Sequence, residues 1–234
     1  MRLGQFAPTL ANALAASGLP VKWVIADDGS SAEEARRLGD MITPLKSAYA
    51  CIELMHCSQR FRKGGAIYEA WNEDDAAAWF AFVDADGAID AATVVQLLKQ
   101  ALLSNDKLGI IGVRSNTEHA PAHRPLSRAI SFKLFTFLVH WLTGLKYSDT
   151  QCGVKIVPAI AYRSIGNRLL ERGFVFDVEL LLAMETSGCD VKEVPIPWAE
   201  IPDGKVRPLR DAWAMLGGLL RIRKRSKAGH YATA

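Results

Sequence analysis

Short apolar runs alternate with longer amphipathic segments along the first half of the chain. The runs have the length of buried strands, and the segments between them repeat apolar residues with the helical period. The predicted strands cover residues 21–26, 51–55, 79–83 and 108–113, and the predicted helices cover residues 3–17, 32–45, 66–73 and 91–104. This alternation predicts an α/β fold whose mostly parallel sheet is flanked by helices on both faces.

The second half of the chain has a different pattern. Residues 124–145 repeat with the helical period, but their apolar load exceeds what one core-facing stripe needs, and Lys133 and His140 interrupt it. Two further strands are predicted at 154–157 and 191–195, and two further helices at 177–187 and 211–223. No internal repeat or linker is visible, so residues 1–234 are predicted to form one domain.

Composition and charge narrow the class of protein. Half of the 234 residues are hydrophobic and 23% are charged, which is typical of a folded globular chain. A net charge of +3 gives no reason to expect a nucleic acid partner. The sequence shows neither a signal peptide nor an apolar run long enough to span a membrane. The four cysteines match no common zinc spacing, and we interpret them as buried, reduced thiols.

Basic residues concentrate near the end of the chain. Between Lys205 and Lys227, eight lysines and arginines stand against one acid, Asp211. Such a run is either a solvated helix face or a surface that rests on anionic lipid, and the pattern leaves both interpretations open.

Two acidic motifs follow predicted strands. Asp27-Asp28 ends one strand and Asp84-Ala85-Asp86 ends another, and ligands of α/β sheets bind at the carboxyl ends of the strands. Strand alternation puts Asp84 and Asp86 on one side, where two carboxylates favour a cation such as Mg²⁺ or Mn²⁺ that also bridges phosphates. The alternatives are a solvated turn after one strand and a helix N-cap at Ser30 or Ser31 after the other.

The order of the motifs resembles the donor half of family 2 glycosyltransferases with the GT-A fold. The segments that carry this resemblance are Ile-Ala-Asp-Asp-Gly-Ser at 25–30, Arg-Lys-Gly-Gly-Ala at 62–66 and Asp-Ala-Asp-Gly-Ala at 84–88. Segments 149–155, 173–181 and 194–205 resemble the polyprenyl-phosphate branch of that family, and within it the dolichyl-phosphate glucosyltransferases. The similarity extends from Arg2 to about Arg223. It implies a donor half at about 1–113 and a membrane-proximal acceptor half at about 114–234.

The sequence departs from the pattern of these glucosyltransferases at two places. Asp203-Gly204-Lys205 replaces their usual Gly-Ser-Lys, and Val154 replaces Phe. Both departures weaken the inference that the sugar is glucose. The mannose synthase pattern fits less well, because it has Leu and Gln where this chain has Gly87-Ala88.

The resemblance implies roles for residues on the donor side. Asp86, together with Asp84, is expected to bind the metal. The residues expected to bind the nucleotide sugar are Asp27, Asp28, Lys63, Asp84, Ala85, Asp86, Arg114 and Lys205. Lys205 matches the lysine of a C-terminal loop that closes on the donor pyrophosphate.

The resemblance also implies an acceptor side. Arg124, Arg128, Asp149 and Gln151 are expected near the acceptor phosphate, and Asp149 is alternatively a salt-bridge partner of a phosphate-binding arginine. Asp86, Arg128 and Asp177 are the expected catalytic residues. Glu179 follows Asp177 by two residues on a predicted helix, so at most one of these carboxylates faces the site.

The implied reaction is the inverting transfer of a hexose, with glucose favoured, from a nucleotide sugar to a polyprenyl phosphate. A UDP-sugar is the favoured donor, and Mg²⁺ or Mn²⁺ is the expected cofactor. A phosphate monoester is already anionic at neutral pH, so this acceptor needs no general base. The alternatives are a hydroxyl acceptor with Asp177 as the base, or a non-catalytic relative.

The expected location is the cytoplasm, peripheral on the inner face of the membrane, and the sequence leaves the oligomeric state open.

One expectation concerns the beginning of the chain. Family members open with a buried strand and a loop, whereas residues 1–3 already resemble the residues just after that loop. The first strand would lie between the strands at 21–26 and 79–83, and leaving it out would expose unpaired backbone groups there. We therefore expect roughly 10 to 20 further residues upstream, enough for one strand and its loop.

Overall fold

The computed structural model describes residues 3–103, 108–115, 126–199 and 208–232. The helices are α1 (Leu3–Ser17), α2 (Ala32–Ala48), α3 (Arg62–Asn72), α4 (Ala91–Leu102), α5 (Leu126–Thr143), α6 (Ala159–Ile165), α7 (Phe176–Thr186) and α8 (Pro208–Lys227). The strands are β1 (Trp23–Asp27), β2 (Ile52–His56), β3 (Trp79–Val83), β4 (Leu108–Ser115), β5 (Val154–Pro158) and β6 (Asp190–Pro197). The predicted bounds of α1 and β3 agree with the structure, while the short helix α6 was not predicted.

The strands form two hydrogen-bonded groups. Strands β1 and β2 pair in parallel, and the other four lie in the order β3-β5-β4-β6. Strand β5 runs antiparallel to both β3 and β4, whereas β4 and β6 are parallel. In this group β3, β4 and β6 run in one direction and only β5 runs in the other, so the expected mostly parallel sheet is confirmed with one reversed strand.

Helices cover both faces of the strands. On one face α1 and α4 pack through Phe6, Leu10 and Val94 against apolar side chains of β4 and β5. On the other face α3 and α7 pack against Phe80 and Phe82 of β3. Alternate residues of β3 therefore enter different cores, which explains its uninterrupted apolar sequence.

Local capping fixes where two of the helices begin. The Ser31 side chain accepts a hydrogen bond from Glu34 N, and Asp90 accepts one from Thr93 N. The N-cap alternative for the segment after β1 is thus confirmed at Ser31, and it leaves Asp27 and Asp28 free for other roles.

The two groups of strands share no backbone pairing among the described residues. A cavity of about 700 Å³ separates β1 from β3.

Two other predictions concern cysteines and membrane spans. Within the described residues the four cysteines form no disulfide, and Cys152 and Cys189 are buried as predicted, whereas Cys51 is exposed and Cys57 is partly exposed. Within the described ranges, no helix is long and apolar enough to cross a membrane.

Candidate active site at the carboxyl ends of the strands

The two aspartates after β1 have different surroundings. Asp27 is 7% exposed, and its Oδ2 lies 3.0 Å from Nδ1 of His56 on β2. Burial acts to raise the pKa of Asp27, but hydrogen bonds from Ser30 and the His56 contact outweigh it, so the pKa is lowered. Asp27 is therefore an ionised carboxylate that joins β1 to β2.

Asp28 holds the beginning of α3. Its Oδ1 accepts hydrogen bonds from Phe61 N at 2.5 Å and from Arg62 N at 2.9 Å. A carboxylate on the free amides of a helix N-terminus is favoured by both hydrogen bonding and the helix dipole. Asp28 thus fixes the position of the turn from which Lys63 projects.

Gly64 allows α3 to lie close to α7, and Gly65 allows the first turn of α3 to pack tightly. A Cβ on Gly64 would lie 2.4 Å from Phe176 Cβ, and one on Gly65 would lie 2.7 Å from Phe61 Cβ. The close approach places the Lys63 ammonium 5.2 Å from the centre of the Phe82 ring and 5.6 Å from that of Phe176.

Lys63 forms an ion pair with the first aspartate of the Asp-Ala-Asp motif. Its Nζ lies 2.7 Å from Asp84 Oδ1, and both side chains are partly exposed. Burial acts to lower the pKa of Lys63, but the charges of Asp177 and Asp84 outweigh it and raise the pKa. The lysine therefore stays charged at the carboxyl end of β3.

Asp84 is also held by the backbone of the strand beside it. Asp84 N donates to Gly153 O at 2.8 Å, and a Cβ on Gly153 would lie only 2.5 Å from Asp84 Oδ2. Residue 153 must therefore be glycine if the Asp84 carboxylate is to stay beside Lys63.

The rest of the motif lies in a turn beyond the end of β3. Ala85 is exposed, and Asp86 Oδ1 accepts a hydrogen bond from Ala88 N at 3.0 Å. Strand alternation does not apply in this turn, so the sequence-based reason for placing Asp84 and Asp86 on one side was wrong. Asp86 carries no ion pair among the described residues, whereas Asp84 is paired with Lys63.

The predicted metal site requires side chains that can ligate Mg²⁺ or Mn²⁺ to lie close together. Among the described residues, no three His, Cys, Asp or Glu side chains cluster in a way that could enclose an ion. Mg²⁺ needs no such cage, because it usually takes one or two carboxylates together with substrate phosphates. Asp86 fits that requirement, while Asp84 would first have to release Lys63.

A second, deeper ion pair lies below the first. Lys155 and Asp177 are 0% and 2% exposed, and Lys155 Nζ lies 2.5 Å from Asp177 Oδ1 and 2.9 Å from Cys152 O. Burial raises the pKa of Asp177, although Lys155 and Lys63 act to lower it. Lys155 was missed as a site residue, and a lysine within the apolar strand Val-Lys-Ile-Val was the signal that could have found it.

Helix α7 directs its two carboxylates to different places, as predicted. Asp177 faces the lysines of the site, whereas Glu179 accepts hydrogen bonds from Tyr231 Oη and from the backbone of Leu170 and Glu171. Asp177 is buried and paired with Lys155, so it lies beneath the site, and its expected catalytic role stays a prediction.

Asp149 forms a salt bridge with an arginine, which is the alternative that the sequence left open for it. Arg114 Nε and Nη2 donate to the Asp149 carboxylate at 2.6 and 2.8 Å, and Asp149 is 1% exposed. The guanidinium lies 5.1 Å from the centre of the Phe132 ring and 5.5 Å from that of the Trp198 ring. Burial acts to lower the pKa of Arg114, but Asp149 outweighs it and raises the pKa.

Of the other acceptor-side residues, the structure describes the side chain of Gln151. Its Nε2 is buried and has no hydrogen-bond partner in the described part of the chain. Arg124, Lys205 and the side chain of Arg128 lie outside the described residues, so their predicted roles remain predictions.

The comparisons with known proteins decide the family. A family model described as "Glycosyl transferase family 2" matches residues 4–174. The chain belongs to glycosyl transferase family 2. The family and the GT-A fold expected from the motifs are thus confirmed.

Curated relatives narrow the resemblance. The chain is 28% identical over 222 residues to a dolichyl-phosphate beta-glucosyltransferase of Saccharomyces cerevisiae, covering 89% of this chain and 66% of that protein. It is 34% identical over 155 residues to the mouse protein of that name, covering 62% of this chain and 47% of that protein. It is 25% identical over 200 residues to glycosyltransferase AglD of Haloferax volcanii, covering 85% and 31%. The chain therefore spans about a third to two thirds of the length of these relatives.

Solved structures support the fold. Glucosyl-3-phosphoglycerate synthase of Mycobacterium tuberculosis, in complex with Mn²⁺, UDP-glucose and glycerol 3-phosphate, superposes with a TM-score of 0.59 at 14% identity. The match covers 96% of this chain and 76% of that one. The UDP complex of the same enzyme gives a TM-score of 0.61, also at 14% identity, with 96% and 77% covered.

Proposed function

We propose that this chain catalyses the inverting transfer of a sugar from a UDP-sugar to the phosphate of a polyprenyl lipid. The observation that carries the proposal is the cluster of Lys63, Asp84 and Asp86 at the end of β3, in a chain whose curated relatives are named dolichyl-phosphate glucosyltransferases. Those names make glucose the favoured sugar.

The donor half suits a nucleoside diphosphate. Asp86 would hold Mg²⁺ or Mn²⁺, and the bound cation would neutralise charge on the leaving pyrophosphate. Lys63, kept charged by Asp177 and Asp84, supplies a second positive charge beside Asp84 at the end of β3. Asp27 or Asp28 would border the nucleoside at the end of β1, and Lys205 would complete the phosphate contacts.

The acceptor half suits a phosphate. Asp149 fixes the Arg114 guanidinium through Nε and Nη2. The third nitrogen, Nη1, takes no part in these two hydrogen bonds. Gln151 contributes a buried amide nitrogen without a hydrogen-bond partner among the described residues. Together they can orient an anion without reorganisation at the moment of reaction, and Arg124 and Arg128 would add further charge.

Burial of Asp177 favours a phosphate acceptor over a hydroxyl acceptor. A hydroxyl needs a general base that reaches its proton, and Asp177, the candidate base, is 2% exposed and paired with Lys155. A lipid monophosphate is already a nucleophilic anion at neutral pH. Its attack opposite the departing nucleotide would invert the anomeric carbon.

Helix α5 supports a peripheral position on a membrane. Ile130, Leu134, Phe137 and Trp141 are 57% to 65% exposed and recur at helical spacing, so they form one apolar stripe, here called the α5 stripe. The opposite side of α5 packs Val139 and Leu142 into the core. Because Phe132 of α5 contacts Arg114, a lipid whose phosphate bound there could extend its chain along this helix.

Basic residues accompany the α5 stripe. Lys133 on α5 is exposed, and Arg223 of α8 lies 5.6 Å from the centre of the Trp141 ring. Lys224 and Lys227 are exposed on the same helix. Apolar side chains edged by lysine and arginine favour an anionic leaflet, which supports a place on the cytoplasmic face of the membrane.

A donor panel with a lipid acceptor tests the proposal. UDP-glucose, UDP-galactose and GDP-mannose, each labelled in the sugar, are incubated with undecaprenyl or dolichyl phosphate and Mg²⁺. We expect a butanol-extractable sugar lipid from one UDP-sugar, formed in step with UDP release and lost with EDTA. Label that enters only water-soluble acceptors, or no UDP release at all, would overturn the proposal.

A pair of matched variants links that activity to Asp86. Asp86→Asn should abolish transfer without lowering the melting temperature, because the carboxylate makes one local hydrogen bond and no core contact. Asp40→Asn, an equivalent change at an exposed position of α2, should leave transfer unchanged. Transfer that survives in Asp86→Asn under Mg²⁺ and Mn²⁺ would remove Asp86 from the metal site.

A further inference from the structure

Arg62 has a backbone conformation that arginine rarely adopts. Its φ is +67°, and among the described residues it is the one residue other than glycine with a positive φ. Asp28 holds this conformation, because its Oδ1 accepts a hydrogen bond from Arg62 N at 2.9 Å. Glycine would adopt the same φ without strain. An arginine at this position therefore points to a function of its side chain.

The Arg62 side chain borders a cavity of about 400 Å³, here called the arginine pocket. The pocket lies between the beginning of α3, the segment before α7 and helix α8, and none of its lining residues lines the cavity between β1 and β3. Since Lys63 and Asp84 line that larger cavity, the arginine pocket is distinct from their part of the candidate active site. Its charged lining is Arg62, Arg172, Arg221 and Glu171, and its larger apolar side chains include Phe174 and Met215.

The charges of the arginine pocket do not cancel. Arg172 Nη1 lies 2.8 Å from Glu69 Oε1, and Glu171 accepts hydrogen bonds from Arg221 at 2.9 and 2.7 Å. Both glutamates are therefore already paired. Arg62 forms no ion pair with any side chain in the described part of the sequence, and its guanidinium stays protonated at every pH at which the protein is folded. One positive charge in the pocket is thus unbalanced by the described residues.

Two of the guanidinium groups lie against glycines. A Cβ on Gly173 would lie 3.6 Å from Arg62 Nη1, and one on Gly217 would lie 3.6 Å from Arg221 Nη1. Arg221 Nη1 takes no part in the hydrogen bonds to Glu171, which use Nε and Nη2. Arg62 and Arg221 therefore offer N–H donors to the pocket beyond those that the glutamates occupy.

A phosphate group is the ligand that suits this set of donors. Guanidinium groups bind phosphate oxygens through two parallel hydrogen bonds in which both partners are charged. A neutral ligand would leave the charge of Arg62 unbalanced, and a carboxylate has only two oxygens for three arginines. Phe174, which is 48% exposed, adds apolar surface for the carbon portion of a ligand.

We propose that the arginine pocket binds the phosphate group of a phosphate ester whose organic part packs on Phe174, at a site separate from the one for sugar transfer. An anionic lipid headgroup and a soluble phosphate ester share this chemistry. Helix α8 connects the pocket with the α5 stripe, because it supplies Arg221 to the pocket and Arg223 to the ring of Trp141. The proposal needs neither a metal at Asp86 nor transfer of a sugar.

Calorimetric titration tests the proposal. The probes are dihexanoyl phosphatidic acid, glycerol 3-phosphate and dihexanoylglycerol, titrated into the full chain with EDTA present so that no cation on Asp86 contributes. We expect phosphate-dependent binding, with no binding of dihexanoylglycerol. Tighter binding of the phosphatidic acid would identify a lipid headgroup as the ligand, and equal binding of glycerol 3-phosphate would identify a soluble ester. Absence of binding by both phosphate esters would overturn the proposal.

Variants assign the binding to Arg62. Arg62→Asn introduces a residue that tolerates a positive φ, so the melting temperature should not fall, while the Kd should rise about tenfold or more. Arg62→Lys keeps the charge without the fork and should bind with intermediate affinity. Arg172→Gln, whose pair with Glu69 is at the surface, should also raise the Kd. Arg36→Asn, at an exposed position of α2, should not change it. Binding by Arg62→Asn as tight as that of the parent chain, or a rise in Kd as large in Arg36→Asn, would remove phosphate from the arginine pocket.

Discussion

Lys155 and Asp177 form an ion pair that neither side chain can share with solvent. They are 0% and 2% exposed, and the pair lies directly below Lys63 and Asp84. Two charges removed from water remain stable only while they stay paired. The lower pair also acts on the upper one, since the charge of Asp177 raises the pKa of Lys63 and helps to keep it protonated.

Removal of Lys155 alone should be costly. Lys155→Met leaves Asp177 buried without its partner, and we expect a loss of about 3–5 kcal/mol in the free energy of unfolding, measured with urea. Lys155→Met with Asp177→Leu should recover most of that loss, because both charges are then gone. A double variant as unstable as the single one would show that packing, and not charge, makes Lys155 necessary.

Gly153→Ala should separate activity from stability. The added methyl group would lie 2.5 Å from Asp84 Oδ2, so Asp84 must move away from Lys63. We expect about a 100-fold fall in kcat for sugar transfer, as for other small displacements in active sites. Circular dichroism should show an intact fold.

Gly39→Ala is the matched control for that substitution. Gly39 lies inside α2, and its added Cβ would meet nothing within 4 Å. Alanine there should raise the free energy of unfolding by about 0.5–1 kcal/mol and leave transfer unchanged. Full activity in Gly153→Ala would mean that the position of Asp84 is not critical.

The local patterns specify the elements of this fold better than their arrangement. The bounds of β3 follow from its apolar run, but nothing in a run of five residues shows that β5 is antiparallel to β3. The beginning of α3 was predicted four residues late, at Ala66, because glycine disfavours helices. In the structure Gly64 is helical, and its lack of a side chain makes room for Phe176.

The residues of the candidate site were likewise easier to predict than the contacts between them. The acidic residues at strand ends could be found from spacing, whereas the partners that hold them could not. Pairing of Asp84 with Lys63 joins residues 21 positions apart, and pairing of Arg114 with Asp149 joins residues 35 apart. These contacts depend on how the strands are ordered, which a single sequence does not display.

Acid should release helix α8 from Glu171. The Glu171 carboxylate, 6% exposed, accepts hydrogen bonds from Arg221 and Arg225. Burial acts to raise its pKa, but the arginines outweigh burial and lower the pKa below the ordinary 4.5. A lowered pKa stabilises the fold above about pH 4.5, and this stabilisation is lost as the pH falls through the folded-state value.

Glu171→Gln measures that contribution. At pH 7 we expect the free energy of unfolding to fall by about 1–3 kcal/mol, and the difference from the parent chain should shrink as the pH drops below 4.5. Glu33→Gln, which breaks the exposed pair with Arg37, should change stability by less than about 0.5 kcal/mol. A difference that stays constant from pH 7 to pH 3 would contradict the assignment to ionised Glu171.

The α5 stripe should determine binding to vesicles. Leu134, Phe137 and Trp141 are 57%, 62% and 65% exposed, so replacing all three with serine removes apolar surface without disturbing the core. A large apolar side chain contributes about 1.5–3 kcal/mol when it leaves water completely. Since these side chains would enter only the interface, we expect the triple variant to bind anionic vesicles about 100-fold more weakly in a co-sedimentation assay.

Leu103→Ser provides the control, because Leu103 is 89% exposed at the end of α4, outside the stripe. It should bind vesicles as the parent chain does. Added salt should weaken binding of the parent chain further, since each basic residue near an anionic surface contributes about 1 kcal/mol and salt screens it. If the triple variant and Leu103→Ser bind equally well, the exposed face of α5 does not meet the membrane. The apolar stripe would then need another occupant.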